Sequence, residues 1–109
     1  MEITLENMHE HDQLMIQTKN SRYKFSVMNP GERRGFLSGG SLGDKAREAV
    51  LIGTIPADGQ ESPSDSEGLK TGARALFFVT ARNGIERLIT SVITRLSHNR
   101  ADNDSRLAA

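Results

Sequence analysis

Gly39-Gly40-Ser41-Leu42-Gly43 matches G-x-S-x-G, the turn that presents a nucleophilic serine in many acyl-transfer enzymes. That chemistry needs a strand before the serine, a long helix after it and a downstream histidine in a large α/β sheet. His98 is the only downstream histidine, it falls near the tail, and a chain of 109 residues is too short for such a sheet. A glycine-rich turn is the plainer account. His9 and His11 would share a face of an extended segment and could hold a metal. No third ligand stands at a fixed spacing, and a closed zinc site takes four, so a polar connection is expected. The glycines near Lys45 and Arg47 could hold an anion through backbone N–H groups, but neither G-x-x-x-x-G-K-[ST] nor G-x-G-x-x-G occurs. Asp58, Glu61, Asp65 and Glu67 share one loop without the spacing of a calcium hand. These residues imply no metal, no cofactor and no catalytic set, so the expectation is a protein that is not an enzyme.

Charge is a more informative signal. The net charge is zero, yet the charges come in blocks. Residues 1–12 carry four acids and no base, and residues 13–47 carry seven bases against two acids. Residues 48–69 carry five acids and no base, and residues 70–100 carry six bases against one acid. Lys19, Arg22, Lys24, Arg33 and Arg34 are therefore the candidate contacts for an anion or polyanion. The chain lacks the overall positive field of many nucleic-acid binders. Single-strand binders also need exposed aromatic platforms beside basic grooves. Here Phe36 beside Arg33 and Arg34 is the one candidate, and a half-buried strand residue is the plainer account of it, while Tyr23, Phe25 and Phe78 fit a core. Nucleic acid is thus the second choice of partner, after a protein or further copies of the chain. At the end, Leu107-Ala108-Ala109 resembles the terminus of the bacterial tag read by a cytosolic unfoldase–protease, a possible degron in a frayed tail.

The elements that would position these residues are strands. Gln13 to Met28, QLMIQTKNSRYKFSVM, reads as a β-hairpin. With Asn20-Ser21 as a two-residue turn, Leu14 faces Val27, Ile16 faces Phe25 and Thr18 faces Tyr23. That face is apolar. The other carries Gln13, Met15, Gln17, Lys19, Arg22, Lys24, Ser26 and Met28, the alternation of an antiparallel pair with one side on a core. This register also sets Lys19 against Arg22, a destabilising like-charge pair.

Ile3 to Leu5 reads as a short first strand, Asn29-Pro30-Gly31 as a turn, and Arg34 to Gly39 as a third strand. The glycines closing that strand suggest a bulge or a close backbone approach. Asp44 could cap a single helical turn. Ala49 to Ile55 is an apolar run ended by Pro56, a buried strand. Residues 56–68 are acidic, contain two prolines and lack aliphatic residues beyond Ala57, so a mobile loop is expected. Ala73 to Ala81 reads as a strand apolar on both sides, followed by the Asn83-Gly84 hairpin signal. Residues 85–96 are ambiguous. Apolar residues at 85, 88, 89, 92, 93 and 96 have helical spacing, with Asn83 and Glu86 forming a capping box. The abundance of Ile, Val and Thr favours a strand.

Several motifs give a resemblance. Thr18, Asn20, Ser21, Tyr23 and Phe25 form T-x-N-S-x-Y-x-F; Gly39-Gly40, an apolar segment ending near Gly53, and Thr90-Ser91 followed by Val92 complete the pattern. In these the chain resembles a loose group of short, uncharacterised bacterial all-β proteins over residues 13–96. Members often carry proline after T-S, where this chain has Val92. The resemblance implies an extended T-S segment and brings no activity.

The expectation is then one small antiparallel β domain over residues 1–97, a barrel or strongly bent sheet of about five or six strands. It would include a second hairpin over 74–95, a mobile loop at 56–68 and a flexible tail at 98–109. No apolar run reaches membrane-spanning length and no signal peptide opens the chain. The chain has no cysteine, which suits the cytoplasm. The expected role is a bacterial protein-interaction or self-assembly module, with polyanion binding through the basic hairpin face as the alternative.

Overall fold

A computed structural model describes residues 2–4, 8–56 and 68–100. The acidic loop expected at 56–68 and the terminal Leu107-Ala108-Ala109 fall almost wholly or wholly outside them. The described chain is built of strands: β1 (Glu2–Thr4), β2 (Gln13–Thr18), β3 (Arg22–Asn29), β4 (Arg34–Gly39), β5 (Arg47–Pro56), β6 (Gly68–Lys70), β7 (Ala73–Ala81), β8 (Gly84–Ile89) and β9 (Ile93–Asn99). Seven form one antiparallel sheet in the order β8-β7-β5-β4-β3-β2-β9, and β1 pairs with β6 in a separate ribbon. Among the described residues no helix is long and apolar enough to cross a membrane.

The hairpin has the expected faces and a different register. Leu14, Ile16, Thr18, Tyr23, Phe25 and Val27 are all buried, while Lys19, Arg22, Lys24 and Met28 are exposed. The pairs, however, are Leu14–Phe25, Ile16–Tyr23 and Gln17–Arg22, so the loop is Lys19-Asn20 rather than Asn20-Ser21. Thr18 is the cause. Its Oγ1 accepts from Ser21 N–H at 3.0 Å and Asn20 N–H at 3.3 Å, closing a turn through a side chain. Thr18 N–H also donates to Ser21 O at 2.8 Å. The shift is by two residues in the pairing, which preserves every face. It removes the expected Lys19–Arg22 opposition, since Arg22 lies against Gln17.

β4 falls at the expected residues, and its glycines do make close approaches. A Cβ on Gly39, whose φ is +105°, would collide with the Arg22 carbonyl oxygen, and one on Gly40 would enter the Tyr23 ring. No helical turn starts at Asp44; the chain instead makes a 3-10 turn at Gly40–Leu42. Asn29 caps a second such turn at Pro30–Glu32, its Oδ1 accepting from Glu32 N–H at 3.2 Å.

The ambiguous segment is neither a helix nor one strand. β7 and β8 form a hairpin around Arg82-Asn83, with Ala81 opposite Gly84, whose φ is +132°. The hairpin expected over 74–95 stops at Ile89. Thr90-Ser91-Val92 then carries the chain to β9, which pairs with β2 at the other end of the sheet. Helical spacing is imitated because Ile85 and Ile89 face one way on β8 and Leu88 the other, a three-residue break follows, and a register shift between Gln17 and Thr18 in the β2–β9 pairing turns both Ile93 and Leu96 inward.

A three-residue link between the two outermost strands requires the sheet to roll up. The rings of Phe25 on β3 and Phe77 on β7 confirm the roll: they meet at 5.3 Å across the interior, although two strands separate them in the sheet. Leu14, Ile16, Val27, Leu37, Leu51, Val79, Ile93 and Leu96 are among the side chains that fill that core, and Leu69 of the ribbon joins it. Each large side chain buried there contributes about 1.5–3 kcal/mol. The roll does not close into a barrel, because β8 and β9 do not pair with each other. The strand count is also higher than expected. Phe78 is a further correction: Phe77 fills the core and Phe78 is exposed, because only one side of β7 faces inward.

Candidate functional site

Of the motif residues behind the resemblance, Thr18, Asn20, Ser21 and Thr90-Ser91-Val92 meet at one corner. Ser91 Oγ donates to Thr18 Oγ1 at 2.8 Å, and Asn20 N–H reaches Ser91 Oγ at 3.3 Å. Lys19 N–H donates to Val92 O at 3.0 Å. Thr90 Oγ1 accepts from Ala75 N–H at 3.0 Å and donates to Ser91 O at 2.8 Å. The corner thus ties the β2–β3 turn to the β8–β9 link, while Gly40 lies against Tyr23 nearby. These side chains satisfy one another and the backbone, so T-x-N-S and T-S hold the roll together.

A second cluster was not singled out from the sequence. Asp12 is fully buried. Its Oδ2 accepts from His9 N–H at 2.9 Å and lies 2.7 Å from His98 Nε2. His98, which sequence reasoning assigns to the tail, belongs to β9, which runs on to Asn99. The pair joins the turn before β2 to the end of β9. The signal was present: Asp12 has the parity of Leu14 and Ile16, the inward face of β2. His9 and His11 are exposed, and among the described residues no group of three His, Cys, Asp or Glu side chains could hold a metal. Ser41 is exposed in its 3-10 turn with no helix after it, and His98 is engaged by Asp12.

The five basic candidates do not form one surface. Arg22 and Lys24 share the outer face of β3, with Lys19 in the adjoining turn. Arg95 on β9 joins them, since Arg22 and Arg95 flank Gln17 on either side. A depression of about 390 Å³ lies there, lined by Met15, Gln17, Arg22, Arg95 and Ser97. Arg33 and Arg34 sit at the far end of β3, about 17 Å along the strand from Lys24 and about 24 Å from Arg22. Arg34 is bound by Glu32 at 3.0 Å and Glu48 at 2.9 Å. The hydrogen bonds its guanidinium donates to those two carboxylates raise its pKa above the ordinary arginine value.

The other half of the outer face carries an apolar stripe flanked by Glu48 and Arg87. Val50 stands opposite Phe78. Phe78 stands opposite Arg87, which puts Ile85 and Ile89 on its two diagonals. Phe36, opposite Glu48, is diagonal to Val50. Phe36, Phe78, Ile85 and Ile89 are all exposed, Ile85 by 72%. This stripe runs to β8, whose far side pairs with no described strand. Thr90 N–H bonds to Ala75 O, and antiparallel ladders alternate. Gly84, Glu86 and Leu88 therefore bond to β7, while the N–H and C=O groups of Ile85, Arg87 and Ile89 point outward. On the inner side a cleft of about 590 Å³ opens between the Gly40–Leu42 turn and the β7–β8 hairpin; Arg47, Arg82, Arg87 and Glu86 are its charged lining.

Compared with family models, with curated proteins and with solved structures, the chain finds no match in any of the three.

Proposed function

We propose that this protein is a non-catalytic interaction module that adds a strand of another polypeptide to β8 and seats it beside the outer apolar stripe. The observation that carries this is an edge strand whose far side pairs with no described strand, with Ile85 and Ile89 exposed, continuous with Phe78, Val50 and Phe36. Natural sheets blunt such edges with charge, proline or a covering element; β8 carries Glu86 and Arg87 but no proline and no described covering element, and exposed apolar patches mark contact sites. Strand addition uses the features present here: outward main-chain groups for affinity and alternate side chains for specificity. The lack of cysteine supports a place for it in the reducing cytoplasm.

The test is an Ile85→Lys/Ile89→Lys variant. Both side chains are exposed, so stability should change by no more than about 0.5 kcal/mol per site. Affinity capture from the native cell and concentration-dependent light scattering should both lose any association the wild-type protein shows. Association unchanged in the variant would refute docking at β8.

A second reading has its own observation. Arg22 and Arg95 on either side of Gln17, with Lys24 and Lys19 near, form a compact basic surface suited to a polyanion. It predicts heparin retention that weakens steeply with salt and is lost on charge reversal of Lys19, Arg22 and Lys24. Flow-through at low salt removes it.

A further inference from the structure

We infer that the strand received by β8 is acidic on one side: an extended segment in which carboxylates alternate with apolar residues. This rests on the docking reading above and names the chemistry of its partner. A strand added to β8 turns alternate side chains to the two faces of the sheet. On the outer face they meet Ile85 and Ile89, beside Phe78, which favours apolar groups. On the inner face they overhang the cleft, where Arg47 and Arg82 stand with Glu86 as the one acid; Arg87, opposite Phe78, reaches the rim of that cleft from the outer face, between Ile85 and Ile89. Among the described residues, Arg47, Arg82 and Arg87 form no ion pair, in contrast to Arg34. Among the described residues the inner side of the edge therefore presents two unpaired guanidinium groups against one carboxylate, with Arg87 a third at its rim. Guanidinium groups pair with carboxylates in a bidentate manner.

A second copy of the chain is the poorer occupant. A twofold pairing of β8 with itself must keep outer side chains with outer ones. The two registers that overlap most of Gly84–Ile89 then set Arg87 against Arg87 or Glu86 against Glu86. Like charges directly opposite are destabilising in a sheet.

The experiment uses the full chain and three capped, dye-labelled peptides in which valine alternates with glutamate, with serine or with lysine. Binding is read by fluorescence anisotropy, and its place by amide shifts in the protein. The glutamate peptide should bind, shift the Ile85, Arg87 and Ile89 amides, and weaken as salt rises. Arg47→Glu/Arg82→Glu should weaken it by about tenfold or more. Ile85→Lys/Ile89→Lys should also weaken the glutamate peptide. Serine or lysine peptides binding β8 as tightly as the glutamate peptide would overturn the acidic assignment and leave strand docking standing. Failure of all three peptides to shift β8 amides, with capture unaffected by the edge variant, would overturn both.

Discussion

Removing one hydroxyl at Thr18 should loosen the whole roll. Thr18→Val conserves shape and leaves a buried side chain, since Thr18 is only 4% exposed. It deletes the oxygen that accepts from Ser21 N–H, Asn20 N–H and Ser91 O–H and that donates to Ser21 O. A hydrogen bond contributes about 1 kcal/mol net, and more where the abandoned partner stays enclosed. Asn20 is exposed and can turn to water, whereas Ser21 and Ser91 are half-buried. The expected loss is about 2 kcal/mol, a fall in melting temperature of about 10 °C for a domain of this size. Ser91→Ala removes one member of the same network and should cost about 1 kcal/mol. In urea unfolding of the two single variants and the double variant, the losses should fail to add by about 0.5–1.5 kcal/mol, because both remove the same bond. Additivity within about 0.3 kcal/mol would refute the idea that Thr18 and Ser91 lock the two ends of the sheet together.

The remaining predictions concern the other points that fix the sheet. Asp12→Ala leaves His98 Nε2 and His9 N–H without their acceptor, and should cost about 3 kcal/mol in chemical denaturation. Asp12→Asn, which keeps one oxygen, should cost about half as much, and a neutral alanine variant would contradict the role given to Asp12. Gly39→Ala adds a left-handed strain at φ +105° to a collision with the Arg22 carbonyl oxygen. Calorimetry should show a loss of about 2–4 kcal/mol; an unchanged melting temperature would remove the close approach as a reason for glycine there.

Alternation made the hairpin legible. Leu14, Ile16, Tyr23, Phe25 and Val27 could be assigned to the core because a strand has a period of two, and an error of two residues in the register leaves that assignment intact. The register was not legible because Thr18 reads as a strand residue, yet its hydroxyl also closes the turn. β8 and β9 misled for a different reason: two short strands joined by Thr90-Ser91-Val92 give the spacing of one helix. The open edge follows from strand order, which the sequence hides. Ile85 and Ile89 read as core in any periodic pattern, and only the placement of β8 at the end of the sheet makes them surface. Asp12 and His98 lie 86 positions apart, and their pairing waits on β9 crossing to β2.

Amide hydrogen exchange along β8 tests the open edge most directly. In dilute protein without partner, the amides of Glu86 and Leu88, bonded to β7, should exchange at least about tenfold more slowly than those of Ile85, Arg87 and Ile89. Equal protection at all five positions would mean that the outer side of β8 is already paired, and the docking edge would not exist.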